Sequence, residues 1–250
     1  MKWREEISTS PALTALEEKV RTGGVASVRG ATGSSTSIIT QALAAKVNRV
    51  TLLATAHVDE ADEVIAEWQD LGLHALRLPA LEASAGESIL AAESFLERLK
   101  VADALEDGKV ALIVAPIAAL MQRIPNAAKR KLLYRTLRVG ERVPPAQLAA
   151  WLTERGYQRM EAVENPGEYS ARGGVFDLYP AAAASAVRLD FFGDDIERMH
   201  EMDATTQAND RRVESVDVLC ADEKQLAPSD EDAAFADLLP RDALFEVRER

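Results

Sequence analysis

The stretch that sets the fold reads Val25-Ala26-Ser27-Val28-Arg29, then Gly30-Ala31-Thr32-Gly33-Ser34-Ser35-Thr36-Ser37, then Ile38-Ile39-Thr40-Gln41-Ala42-Leu43. A short apolar strand, a glycine-bearing loop and an amphipathic stretch in that order form the frame of a phosphate-binding loop. The pattern asks for Gly, four residues, Gly, Lys, then Ser or Thr. Backbone N–H groups cradle the phosphates and the lysine neutralises their charge. Here Ser35 stands where the second glycine belongs and Thr36 where the lysine belongs, and only Ser37 fits. Gly30, Gly33, Ser35, Thr36 and Ser37 therefore mark a degenerate phosphate loop. Backbone N–H groups at a helix N-terminus survive any side-chain change, so weak anion affinity is the most it would retain. Thr36 adds no positive charge and no acidic metal-holding strand motif follows. No cofactor is expected, ATP included, and the reading is a binding module.

Working outward from the loop, residues 1–118 alternate helices and strands. Leu13, Leu16 and Val20 follow Ser10-Pro11, a cap-then-proline helix start. Val25–Val28 is the strand entering the loop, and Ile38, Ile39, Ala42, Leu43 and Val47 line one face of the helix leaving it. Further buried strands are read at 50–54, 74–78 and 110–114. Helices separate them: one carries Val58, Ala61, Ile65 and Trp68, the other spans 87–106. Strands separated by helices imply right-handed crossovers and a parallel sheet. The expectation is an α/β fold: a degenerate P-loop-NTPase-like parallel-sheet domain over 1–118.

The rhythm changes after Pro116. Pro144-Pro145 opens a helix through Leu148 and Leu152, and short antiparallel strands follow at 157–163, 169–179 and 186–192. Turns at Asn165-Pro166-Gly167 and Gly193-Asp194-Asp195 separate them. In Val187-Arg188-Leu189-Asp190-Phe191 apolar and charged residues alternate, as in a half-buried strand. Residues 119–206 read as a smaller α+β domain. Residues 207–250, with strand-like Val213, Val216, Val218 and 243–247, read as the beginning of a third, incomplete α/β domain.

Composition bounds the function. The 250-residue chain has 47% hydrophobic and 28% charged residues, ordinary globular values, but only 5% aromatics, so its core must be largely aliphatic. Its 29 basic and 41 acidic residues leave a net charge of −12. That argues against a stand-alone module gripping duplex DNA through its phosphates, without excluding a local basic patch. One cysteine, Cys220, excludes an internal disulfide framework or a zinc-ribbon site. His57, His74 and His200 show no ligand-like spacing, so neither a metal site nor a catalytic residue is assigned. The start lacks an apolar signal core and no run approaches the ~18 residues of a membrane span. A soluble, cytoplasmic protein with no membrane partner is expected.

The most specific signal is the block Glu164-Asn165-Pro166-Gly167-Glu168-Tyr169-Ser170-Ala171-Arg172-Gly173-Gly174-Val175-Phe176-Asp177-Leu178-Tyr179-Pro180, continued by Val187 to Glu197 and Asp203-Ala204-Thr205-Thr206-Gln207. It resembles the UvrB-like N-terminal region of the bacterial transcription-repair coupling factors, the Mfd family. Leu78-Pro79-Ala80-Leu81-Glu82, Ala115 to Pro125 and Gly156-Tyr157-Gln158-Arg159 look like the same region. UvrB-like proteins keep Gly-Lys-Thr where this chain has Ser35-Thr36-Ser37; the coupling-factor region has lost that function.

The resemblance implies a non-catalytic module that docks on UvrA in transcription-coupled nucleotide excision repair. RNA polymerase and DNA would be reached only through parts of the full-length family protein absent here. The implied partner-binding residues are Arg159, Tyr169, Arg172 and Phe176. Arginine makes charge-assisted bonds to carboxylates, and arginine and tyrosine are typical interface anchors. Tyr169 and Arg172 are three apart and fall on opposite faces of a straight strand; a bulge at Gly173-Gly174 would re-aim Arg172. Both arginines could equally be solvated strand residues. The alternative function is a UvrB-like DNA-dependent ATPase or helicase subunit. Phe191 to Asp195 reads as a hairpin turn, and Thr205-Thr206-Gln207 as the crossing into a third domain.

Overall fold

The computed structural model describes residues 7, 9–29, 35–70, 72, 74–81 and 89–248. It divides into two compact units: Met1–Leu81, Glu97–Ile124 and Ala233–Arg250 in one, Glu82–Leu96 and Pro125–Asp232 in the other.

The first unit is built on a parallel sheet. Strands β1 (Thr51–Thr55) and β3 (Leu112–Pro116) are buried along their whole length. β2 (Leu76–Arg77) adds to β3, and β14 (Leu244–Val247) adds to the other side of β1, giving the order β14-β1-β3-β2. Continuous burial explains the unbroken aliphatic runs, since strands covered on both faces carry no polar alternation. The helix Val58–Asp70 packs Ala61, Val64 and Trp68 against Leu53, Leu112 and Val114. The helix Pro11–Arg21 starts as read: the Ser10 hydroxyl accepts a bond from the Leu13 N–H at 3.2 Å, with proline in the first turn. The 87–106 reading corresponds to the helix Ile89–Glu106. Its Arg98 is buried and donates to Pro79 O at 2.7 Å and Gln122 O at 3.2 Å. The Gln122 amide in turn bridges the N–H and C=O of Leu81 at 2.8 and 2.7 Å. Burial pulls the Arg98 guanidinium down to about 10. The two upstream motif pieces, around Pro79 and Gln122, are thus clasped to one another.

Two expectations change here. Residues 25–28 form no strand, and Val25 and Val28 are exposed. Both edges of β1 are already paired, with β3 and with β14, so the place beside it is filled from the other end of the chain. The tail, expected to begin a third domain, is instead divided between the two units. In the first unit, β13 (Ala233–Ala234) pairs with β4 (Arg123–Ile124), a 3-10 turn follows at Phe235–Leu238, and β14 enters the parallel sheet. Apolar Leu244 joins Leu13, Leu43 and Val47 in one cluster.

The second unit carries a six-stranded sheet in the order β11-β10-β9-β8-β7-β6. Its strands are β6 (Gln158–Arg159), β7 (Glu168–Arg172), β8 (Val175–Tyr179), β9 (Ala186–Phe192), β10 (Asp195–Met202) and β11 (Asn209–Arg212). All neighbours are antiparallel except β6 and β7. A two-stranded ladder joins β5 (Tyr134–Arg138) to β12 (Ser215–Leu219). The helix Pro145–Glu154 supplies Leu148 and Leu152 to a core with Tyr169, Phe176, Leu178, Leu189, Ile196 and Met199. The stretch 169–179 is two strands rather than one, because Gly173 at φ 59° lets the chain reverse. Asp203 accepts bonds from the N–H groups of Thr205 and Thr206, both at 2.8 Å, which hold its carboxyl below the usual range. The 205–207 segment therefore turns β10 into β11 within this unit rather than leading out of it. Gly156 is a required glycine: φ is 86° and a Cβ there would lie 2.7 Å from the Asp222 nitrogen.

β14 holds one misfit. Glu246 faces Thr40, its Oε2 is buried without a hydrogen-bond partner, and burial raises its carboxyl above the ordinary value against the opposing Thr40 bond. The folded state then binds that proton more tightly than the unfolded chain, so the contribution is favourable below the ordinary carboxylate pKa and lost as pH rises through the folded one. Glu246→Gln should therefore stabilise the protein at about pH 7, with the gain shrinking toward about pH 4. Urea unfolding of both forms at the two pH values checks this.

Candidate functional site

Strand alternation gives the six-stranded sheet two unlike faces. Tyr169, Phe176, Leu189 and Phe191 point into the core, with Tyr169 stacked on Phe176 at 5.5 Å between ring centroids and Phe191 tilted beside Phe176 at 6.2 Å. The Tyr169 hydroxyl is 2.9 Å from Thr153 Oγ1 on the covering helix. The intervening positions share the other face by register, among them Glu168, Ser170, Arg172, Val175, Asp177, Arg188, Asp190, Phe192, Asp195, Arg198, His200 and Arg212.

Charge on that face is organised around Asp177. Its side chain is 2% exposed, and directly across the ladder Arg188 grips it with Nε to Oδ1 at 2.6 Å and Nη2 to Oδ2 at 2.9 Å. Such a fork-on-carboxylate pair is the strong form of a charge-assisted bond. The Asp177 carboxylate raises the Arg188 pKa further above its usual value. Arg188 Nη1 also reaches Gln207 O at 3.3 Å and Asn209 Oδ1 at 3.2 Å, so the guanidinium is fixed from two sides. On the opposite flank, Arg172 Nη2 stands 3.7 Å from Asp177 Oδ2 while 63% of its side chain is exposed. A second acid, Asp190, lies 3.9 Å from Arg198 Nε and 4.0 Å from His200 Nδ1. Four arginines stand against four carboxylates on this face, Glu168 and Asp195 being the other two by register, so it is densely charged without being basic overall.

The residues expected to bind a partner separate accordingly. Arg159 and Arg172 are exposed, but β6 pairs Arg159 with Tyr169, which puts it at the sheet edge on the core side, whereas Arg172 lies on the open face. Tyr169 and Phe176 are 3% and 1% exposed. They are core residues supporting the face, not contacts upon it. Gly173-Gly174 is a hairpin turn with no register shift, so nothing re-aims Arg172. Sequence reading missed Asp177, Arg188 and Phe192. The alternation already noted at 187–191, carried one residue further and paired with 175–178, would have found them.

The degenerate loop contributes less. Gly30 and Gly33 lie outside the described residues. Ser35 and Thr36 begin the helix Ser35–Val47. Ser37 is buried, its hydroxyl donates to the Glu67 carboxylate, and its carbonyl accepts from Trp68 Nε1 at 3.1 Å. The residue that would hold a metal in a working loop is here a packing contact. At the far end of the open face a cavity of about 380 Å3 is lined by Glu164, Tyr179, Glu201, Asp203 and Asp210 among others. Among the described residues no group of three or more His, Cys, Asp or Glu is placed to hold a metal ion. None of their helices is long and apolar enough to cross a membrane.

The sheet is thus packed on one side and charged on the other, and comparison with known proteins places it. Residues 136–223, which hold every strand of that sheet, match the family described as the UvrB interaction domain. The chain is 30% identical over 209 residues to the transcription-repair-coupling factor of Bacillus subtilis, covering 82% of this chain and 18% of that protein. It is 32% identical over 133 residues to that of Haemophilus influenzae, 52% of this chain and 11% of that one, and 31% identical over 125 residues to one from Staphylococcus aureus, 50% and 11%. The chain thus carries a UvrB interaction domain and is a relative of the transcription-repair-coupling factors, as the 164–207 block indicated. It spans under a fifth of the length of these relatives.

Removing the central carboxylate should be costly. Asp177→Ala leaves the Arg188 guanidinium facing an empty place, and a broken buried pair costs about 3 kcal/mol at the lower end of its range, apt for a group still one-fifth exposed. Chemical denaturation of the full chain should show this loss, with a smaller one for Asp177→Asn.

Proposed function

We propose that this chain is the N-terminal, UvrB-like part of a transcription-repair coupling factor, and that it serves as a non-catalytic module docking on UvrA in transcription-coupled nucleotide excision repair. The observation that carries the reading is the match of residues 136–223 to the UvrB interaction domain over the strands that present the open arginine face. Arg172 and Arg198 are more than half exposed, Arg172 near Asp177 and Arg198 near Asp190 and Glu197, and each keeps N–H groups that a partner's carboxylates can take. The chemistry of recognition is therefore a charged, hydrogen-bonding sheet face whose exposed guanidinium groups meet carboxylates of the partner. Arg159 at the sheet edge extends the contact to a second side.

The absence of chemistry is part of the proposal. Thr36 replaces the lysine that would neutralise phosphates, and the Ser37 hydroxyl is committed to Glu67. Neither ATP binding nor turnover belongs to this module. RNA polymerase and DNA are contacts of other parts of the full-length protein, and the setting is the cytoplasm.

Titrating the full chain against purified UvrA tests the docking. Wild type should bind, and Arg159→Ala with Arg172→Ala should weaken it by at least about tenfold, since an interfacial arginine truncation costs roughly 1–4 kcal/mol. Undiminished binding by that double variant removes the assigned surface. Magnesium–ATP titrated into the chain should give no saturable heat.

A further inference from the structure

Phe192 is 79% exposed, far more than an aromatic side chain gains by standing in water. Its neighbour Phe191 explains why the position is not an accident of a loose loop. Phe191 points into the core beside Phe176, so alternation along β9 sends Phe192 to the open face together with Arg188 and Asp190. The Phe191 N–H donates to Gly174 O at 2.7 Å, and Val175 pairs with Asp190. Those contacts bring the β7–β8 hairpin tip alongside the β9–β10 tip. Arg172, Val175 and Phe192 consequently gather at one end of the same face, all exposed.

The tip is rigid. Phe192 pairs with Asp195 across a two-residue turn in which Gly193 takes φ 63°. Val143 N–H donates to Asp194 O at 2.8 Å and the backbone of Arg142 pairs antiparallel with that of Asp195, tying the turn to a second segment. Gly174 approaches Phe191 so closely that a Cβ would stand 3.0 Å from its carbonyl oxygen. An aromatic ring held out on a braced backbone loses little freedom on association. An exposed aromatic at the same end of a face as an exposed arginine is also the composition in which interface energy concentrates, here with Asp195 across the turn from the ring.

We infer that Phe192 is the apolar anchor of the docking face, seating its ring in an apolar recess of UvrA whose rim carries the carboxylates met by Arg172 and Arg198. The inference rests on the UvrA-docking reading and adds the residue that dominates it. Charge supplies orientation and encounter; the ring supplies the desolvated centre.

The experiment is titration of UvrA with the full chain in four forms: wild type, Phe192→Ala, Phe192→Trp, and Met121→Ala as an exposed apolar control in the other unit. Circular dichroism and thermal unfolding should be alike for wild type and Phe192→Ala, because the ring touches little in the free protein. The expected result is binding weakened about tenfold or more by Phe192→Ala, and within about twofold of wild type for Phe192→Trp and Met121→Ala. Wild-type binding left within about twofold by Phe192→Ala overturns the inference and leaves the docking reading standing. Failure of wild type to bind UvrA overturns the reading and the inference together. Self-association abolished by Phe192→Ala, with UvrA affinity unchanged, also overturns it by assigning the ring to a second copy of the chain.

Discussion

Asp177 sits near the middle of an antiparallel sheet, where an unpaired carboxylate would be costly to keep dry. The fork of Arg188 directly across the ladder makes it tolerable, and Arg172 approaches from the other side. That interaction is what allows one face of this sheet to be charged while the other is a packed core. Buried pairs of this kind add little net stability compared with apolar residues of the same size. Their effect here is geometric: the pair fixes Arg188, holds the approach of Arg172, and keeps the strands β8 and β9 in a register that sets every other residue of the face.

The consequences run in both directions from that point. Inward, Phe176 and Leu178 flank Asp177 on β8 and reach the core under the helix Pro145–Glu154, where Tyr169 and Leu189 join them. Outward, the same register sets Asp190 near Arg198 and His200, and brings the two hairpin tips together so that Phe192 and Arg172 stand at the same end of the face. A period of two residues, with a carboxylate secured at its centre, thus yields both a fold and a surface. The parallel-sheet unit follows a separate logic: buried aliphatic strands, a clasp of Arg98 and Gln122, and a helix whose Ser37 is absorbed into packing against Glu67 and Trp68.

Much of this was legible from residue order. The aliphatic runs at 50–54 and 110–114 announce buried parallel strands because continuous burial leaves no place for polar alternation, and the strands formed lie one and two residues further on, at Thr51–Thr55 and Leu112–Pro116. The Pro144-Pro145 helix start and the alternation at 187–191 were equally plain. What escaped were features made by distant partners. Residues 25–28 look like a strand locally, but the position beside β1 belongs to β14, nearly two hundred residues later. For the same reason the tail reads as a new domain, although 215–219 pairs with 134–138 and 244–247 with 51–54. Tyr169 and Phe176 illustrate the limit at the site. Residue type suggested anchors, while the parity of β7 and β8 turns both inward and leaves Arg172, and Phe192 on β9, exposed on the other face.

The central claim is that partner recognition belongs to the open face of the six-stranded sheet. Amide hydrogen exchange of the full chain, alone and saturated with UvrA, tests it most directly. The account predicts new protection concentrated in 170–177 and 188–200, with the amides of 51–70 and 112–121 unchanged. Protection confined to the parallel-sheet unit, with the segments around Arg172 and Phe192 exchanging as freely as before, would contradict it.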